Sequence, residues 1–306
     1  AMTTARSLFQ GCWDRIDRAE AHASAVLRSW NAFMEEGEHG PYDTSLVHYG
    51  NGDHVLYMEQ VIPTPTEIGL LLGEWLYLLR SALDSCVYDV AIHDNGNADP
   101  PPTPNALEFP LCASEEVWKR SQHRIKPLNE KHRDWVHSVQ PYRSARSPES
   151  TLLYWLNELA RIDRHRTLHV MGSVVAEANP LVWAPDSTSI LFEDRSDLPM
   201  PLVGRTELAR FTVVPYNDGD QVTADPNCGI DPQIMEWATR NPDPEVWRQL
   251  NLGDRLFHIR QFVAAIVGRF ERDCLGSTRF PYLNPEPPAD HSIVAGDAAN
   301  SDGSAP

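Results

Sequence analysis

The stretch TEIGLLLGEWLYLLRSALDSCVYDVAIH, residues 66–93, decides the fold. Leu72, Leu76, Leu79, Leu83, Val87 and Val90 recur at three and four, the spacing of one helix face. Pro63 and Pro65 precede it, and Thr66 can cap its first turn. A helix this long and apolar has to be covered by other helices. Arg80 borders the stripe with Asp84 one turn further on, the less favourable order for a plain surface pair.

Working outward, residues 4–35 repeat the pattern through Leu8, Cys12, Ile16, Ala19, Ala23, Val26, Trp30 and Phe33. Gly37, Gly40 and Pro41 end that helix. Alternating residues on either side of Gly50-Asn51-Gly52-Asp53 predict a β-hairpin over 44–62. Downstream of the long helix come a proline-rich loop at 97–105 and an extended Phe109-Pro110-Leu111. One or two short helices follow within 114–139, ending near Gln140-Pro141-Tyr142. A helix is expected over 151–171, three or four strands over 181–216, and a last helix over 253–274 with Leu256, Ile259, Val263, Ile266 and Phe270 inward. Residues 284–306 are mostly Pro, Ala, Ser, Gly and Asp, a composition expected to stay disordered. The expectation is an α+β, helix-dominated fold. Residues 1–283 form one helical-bundle domain carrying an inserted β-hairpin and a small antiparallel sheet.

A chain of 306 residues that is 42% hydrophobic, with nine tryptophans, can bury a substantial core. No window is apolar enough for a transmembrane helix, and the charged first thirty residues do not read as a signal peptide. Five scattered cysteines without a C-x-x-C pair point to a reducing, cytoplasmic setting without disulfides or structural zinc. Neither G-x-G-x-x-G nor G-x-x-x-x-G-K-[ST] occurs, which disfavours nucleotide-dependent enzymes of those types. The net charge of −17 argues against nucleic-acid binding by the whole surface, yet residues 118–147 hold eight lysines and arginines against Glu130 and Asp134. That window is +6 and leaves −23 elsewhere. Lys119, Arg120, Arg124, Lys131 and Arg133 are its candidate substrate-binding cations. Trp118, Trp135 and Tyr142 among them would suit stacking on bases, and His123, His132 and His137 could add charge at lower pH. The alternative is a solvated basic face on an acidic protein.

RIDRHRTLH, residues 161–169, is the segment richest in chemistry. Metal-free RNA cleavage needs an imidazole to move a proton and a fixed cation to hold the phosphate. Arg164, His165 and His169 are the candidate catalytic residues, with Arg161 and Arg166 as further phosphate contacts. Histidines four apart on a helix could share a metal, but no third ligand is near and the arginines oppose a cation, so no metal or cofactor is expected. The same histidines could equally be capping residues near a helix end. On a helix over 151–171, Asp163 falls among Leu152, Leu156, Leu159, Thr167 and Val170, where a carboxylate needs a partner. Arg80 is the expected partner, giving a structural polar cluster of Arg80, Asp84 and Asp163.

Two resemblances follow from these motifs. Leu79-Arg80-Ser81-Ala82-Leu83-Asp84, Phe109-Pro110-Leu111, Val139-Gln140-Pro141-Tyr142 and Ile162-Asp163-Arg164-His165-Arg166 resemble an ordered set shared by uncharacterised bacterial proteins. Residues 66–170 carry it, and Arg164 stands where that set often has lysine. It implies no particular activity. The Arg164-to-His169 spacing resembles the HEPN-type helical ribonucleases, which implies metal-independent RNA cleavage, a toxin or defence role and a homodimer. Under it Arg164 binds the scissile phosphate, His169 handles the proton and His165 assists. The alternatives are a non-catalytic binding or scaffold protein with a structural Arg/Asp cluster, and a small-molecule phosphate-ester enzyme using the same His and Arg residues.

Overall fold

The computed structural model describes residues 7–37, 40–165, 171–193, 198–235, 237 and 250–280. The chain is an α+β protein in which helices dominate, with six α-helices among the described residues. Helix α1 spans Gln10–Met34, and strands β1 (Tyr42–Gly50) and β2 (Asp53–Gln60) form the hairpin. The long helix α2 is Thr66–Asp94, followed by the short α3 (Glu115–Ser121) and α4 (Glu130–Ser138), then α5 (Leu152–His165). Strands β3 (Met171–Ala178), β4 (Leu181–Trp183), β5 (Ser189–Phe192), β6 (Met200–Pro201), β7 (Thr206–Val214), β8 (Thr223–Asp225) and β9 (Cys228–Ile234) precede α6, Leu252–Leu275.

Helix α2 is the axis of the bundle. Ile68, Leu72, Trp75, Leu76, Leu79, Leu83, Cys86, Val87 and Val90 are all buried, against α1, α5 and α6. A buried carboxylate on this axis also organises its neighbour. Asp89, fully buried, accepts from the Phe9 amide (2.9 Å) and so ties the start of α1 to α2. Nothing in the spacing of Asp89 distinguishes it from the hydrophobic residues around it. α6 ends on Gly276 in the left-handed conformation, a common helix stop.

The hairpin turns at Asn51 and Gly52, both with positive φ. Only glycine fits at 52, because a Cβ there would lie 2.3 Å from the Val213 carbonyl oxygen. That close approach reveals a topology the sequence reading lacked. The hairpin is joined by β7 and β5 in a four-stranded antiparallel sheet of order β1-β2-β7-β5. The expected separate 181–216 sheet is thus shared with the hairpin, because β7 completes the free backbone edge of β2. A second sheet has the order β6-β3-β9, and β4 pairs with β8. Tyr42, Leu56, Met58, Val175, Met200, Leu202 and Leu208 form a small core between sheets, and Tyr42 hydrogen-bonds Ser173 across it.

The helix expected over 151–171 is shorter. Its described part ends at His165, and the chain is a strand by Met171. The tail over 284–306 lies outside the described residues. All five cysteines are free thiols, and no helix among the described residues is long and apolar enough to cross a membrane.

A buried imidazole ties α2, α4 and α6 together. His132, with no exposed surface, lies 2.8 Å from Asp94 at the end of α2 and 2.9 Å from Asp273 on α6. His132 thus bridges the two carboxylates, Asp94 through Nδ1 and Asp273 through Nε2. Burial raises the Asp94 carboxyl, but hydrogen bonds from His132, the Asn129 amide and His93 outweigh that and hold it below its usual value. Asp273 is held low by Lys131 and His132, again against burial. Depressed carboxyls contribute stability above their unfolded pKa of about 3.8 and lose it as pH falls through the folded values. Thermal melts between pH 7 and 2.5 are expected to show this loss beginning below about pH 4. His132→Ala is expected to cost about 2 kcal/mol at pH 7, because Asp94 keeps the Asn129 amide and His93 but both it and Asp273 lose a buried partner. A variant as stable as wild type at pH 7 would contradict the assignment.

Candidate functional site

Three of the four sequence motifs converge on one extended segment, residues 109–112. Arg80, 6% exposed despite its charge, anchors it from α2. Its Nη1 donates to Asp84 Oδ1 (2.8 Å), and its Nη2 donates to Glu108 Oε1 (2.8 Å) and to the Phe109 carbonyl (2.6 Å). Asp84 Oδ1 also accepts from the Phe109 amide (2.9 Å). Both backbone groups of Phe109 are therefore satisfied by one helical Arg/Asp pair. From the far side, the fully buried Gln140 accepts from the Cys112 amide (3.0 Å) and donates to the Pro110 (2.9 Å) and Val136 (2.8 Å) carbonyls. Pro110 has no N–H, so this pattern meets the polar groups of a segment that cannot join a sheet. Two motifs thus clamp the backbone of the third.

The fourth motif lies beside this clamp. Gly73, Tyr77, Arg80, Ser81 and Asp84 of α2 face Ala160, Asp163 and Arg164 of α5 across a cleft of about 160 Å³. Burial pushes the Asp84 carboxyl up, while Arg80, the Phe109 amide and Arg164 pull it back. Arg80, Asp84 and Asp163 line one cleft, but the expected Arg80–Asp163 pair is corrected. Arg80 points along α2 to Asp84 and Glu108, and Asp163 Oδ1 is buried with no hydrogen-bond partner among the described residues. Asp163 instead lies over Gly73, where a Cβ would come within 2.8 Å of both carboxylate oxygens. Gly73 is thus the α2 position that lets α5 approach, a contact that spacing alone does not reveal.

Arg164 is exposed at the rim of this cleft. Its Nε donates to the Ala160 carbonyl (3.3 Å), and among the described residues it makes no ion pair. Arg161 is also exposed but is held by Glu158 through bonds of 3.0 and 2.6 Å. Arg166, His169 and the side chain of His165 lie outside the described residues.

The basic segment is less available than its composition suggests. Lys119 pairs with Glu115 (2.9 Å), Arg120 with Glu116 (3.4 Å), Arg124 with Glu108 (2.7 Å) and Lys131 with Asp273. Arg133 lines an open groove with Lys126, His123 and His137. The aromatic rings expected to stack on bases are occupied within the fold. Trp118 is 6% exposed and stacked on His137. Trp135 lies beneath the cationic groups of Lys131 and Arg269, and Tyr142 hydrogen-bonds His137 (2.6 Å). Burial, reinforced by Arg143, lowers the His137 imidazole, so it adds no charge to the groove at neutral pH.

Among the described residues no three His, Cys, Asp or Glu side chains are placed to hold a metal ion. The chain matches no known family, no curated protein and no solved structure. Arg80→Met is expected to lower stability by about 3 kcal/mol, the low end for a broken buried pair because Asp84 and Glu108 keep some water. Arg164→Ala is expected to change it by less than about 0.5 kcal/mol. Chemical denaturation of both variants checks this, and equal losses would refute the division between clamp and rim. Alanine normally stabilises a helix relative to glycine by about 1 kcal/mol. Gly73→Ala is expected to destabilise here instead, with Asp163→Ala in the same chain relieving the clash.

Proposed function

We propose that this chain is a HEPN-like, metal-independent RNA-cleaving protein acting at the α2–α5 cleft. The observation that carries the reading is Arg164, an exposed guanidinium at a cleft rim with no ion-pair partner among the described residues. A guanidinium there suits two non-bridging oxygens of a phosphodiester and the extra charge of the transition state. In RNA the ribose 2′-hydroxyl attacks the adjacent phosphorus, and the 5′-oxygen of the next nucleotide leaves. One group must take the hydroxyl proton and another must protonate the leaving oxygen. His169 and His165, close to Arg164 in sequence, are assigned to these transfers. Arg161, already neutralised by Glu158, is a secondary contact at most.

The occupied aromatic rings and paired cations alter the expected mode of RNA binding. Arg133 and Lys126 in their groove remain as phosphate contacts, so RNA would be held through its backbone, with little base preference and strong salt dependence. A homodimer belongs to the same reading. Leu70 and Tyr77, 51% and 63% exposed on α2 beside the cleft, offer a surface for a second copy. A toxin or defence role belongs to the reading as well.

A second reading, a non-catalytic binding or scaffold protein, is favoured by the Arg80 clamp, which gives the first three motifs a purely structural role. Incubation of purified protein with a labelled mixed RNA pool in EDTA separates the two. Cleavage is expected, falling about 100-fold or more in Arg164→Ala and in His169→Ala. No cleavage by wild type, or cleavage unchanged in both variants, would leave the scaffold reading.

A further inference from the structure

The groove on the α3–α4 layer carries more than two loose cations. It occupies about 410 Å³ over the buried Trp118 and Ile125, with Gln122, His123 and Asp134 also in its lining. Arg133 and His137 lie four apart on α4 and so project from one face of it. Lys126 lines the groove from the turn between α3 and α4. Arg133 and Lys126 are exposed, and neither makes an ion pair among the described residues.

His137 adds a fixed hydrogen-bond donor. Its ring stacks on Trp118, with centroids 4.7 Å apart and planes 14° apart. Its Nε2 lies 2.6 Å from the Tyr142 hydroxyl and 3.4 Å from Arg143 Nη1. A guanidinium only donates, so Nε2 accepts and the N–H of the neutral ring sits on Nδ1. Among the described residues that N–H has no partner. Lys126 and Arg133 against Asp134 leave one net positive charge in the lining. Glu115, the other acid acting on His137, is paired with Lys119 (2.9 Å).

We propose that this groove seats one phosphodiester of a nucleic-acid strand, with Arg133 and Lys126 against its charge and the His137 Nδ1–H on a non-bridging oxygen. One net positive charge matches a phosphodiester monoanion better than a phosphate monoester carrying nearly two charges. An open groove gives no enclosed apolar wall to the body of a small acid, whereas a strand can run through it. The neutral imidazole makes the seat discrete and oriented, beyond the two charges that any basic surface offers. That the strand is RNA rests on the reading of the α2–α5 cleft. The seat does not contact a 2′-hydroxyl, so a deoxy strand, which the proposed reaction cannot cleave, fits it equally.

The test is fluorescence anisotropy of the whole chain with a labelled oligothymidylate, beside its methylphosphonate analogue, whose backbone is uncharged, and with diethyl phosphate as competitor. Oligothymidylate is expected to bind, and the uncharged strand about tenfold weaker or worse. Arg133→Ala and Lys126→Ala change exposed residues and keep the fold. Each is expected to weaken binding about tenfold and to flatten its salt dependence by about one phosphate contact. His137→Phe keeps the ring on Trp118 but loses the N–H, with an expected loss of about tenfold and an unchanged salt slope. Arg28→Ala, an exposed cation of α1 outside the groove, is expected to leave binding unchanged. The proposal is overturned if oligothymidylate does not bind, if the uncharged strand binds alike, or if the Arg133, Lys126 or His137 variants bind as wild type does. It is equally overturned if Arg28→Ala weakens binding as much as they do, or if diethyl phosphate binds as tightly as the strand. RNA cleavage is read separately. Cleavage that needs Arg164, with strand binding indifferent to Arg133, would remove this seat and keep the cleft. Strand binding through Arg133 without RNA cleavage would do the reverse.

Discussion

The described architecture turns on a single guanidinium. Arg80 lies on the most buried helix of the bundle, where a charge without partners would be costly. Asp84, Glu108 and the Phe109 carbonyl compensate it. The same contacts hold the segment after the proline-rich loop against α2, and Gln140 then fixes that segment to α4. Glu108 passes the connection to Arg124 between α3 and α4. The layer formed by α3 and α4 is therefore attached to the bundle through polar groups as much as through Phe109 and Trp118. Polar networks of this kind fix a unique arrangement more than they add stability, because their geometry tolerates few alternatives.

The cations divide by occupation. Arg80 is buried and oriented, while Lys119, Arg120, Arg124, Lys131 and Arg161 each lie against an acid. The +6 balance of residues 118–147 overstates the field this face presents, since several of its acidic partners lie outside that window. Glu108, Glu115, Glu116 and Asp273 come from flanking sequence or from α6. Counting charge along a window cannot anticipate neutralisation by residues brought in by folding. Arg164 stands apart because its neighbours on the cleft are Asp163, turned toward Gly73, and an Asp84 already held by Arg80.

Much of the helical frame was legible from periodicity. The stripe of α2, the α1 pattern, the Asn51-Gly52 turn and the α6 face depend on local spacing, which the chain carries openly. Arg80 with Asp84 was legible too, as a charge pair set into an apolar face. What failed to show needed knowledge of remote partners. Asp163 was assigned to Arg80 because both lie on apolar faces, yet the direction of the Arg80 fork is set by Glu108 and Phe109. The continuation of α5 to 171 follows from Thr167 and Val170 fitting the helical face, but the strand that begins at Met171 is defined by its pairing with β9, a partner remote in sequence. Asp89, Gly73 and Gln140 act through contacts across the bundle, and no short motif marks them.

Amide hydrogen exchange at Phe109 and Cys112 measures the central interaction most directly, because these N–H groups donate to Asp84 and Gln140. In the wild type both amides are expected to exchange only by opening as slow as that of the α2 core. In Gln140→Ala, Cys112 is expected to lose protection while the middle of α2 keeps it, and in Arg164→Ala both amides should remain protected. Fast exchange at Phe109 and Cys112 in the wild type would contradict the clamp, and with it the separation of structural motifs from the cleft at Arg164.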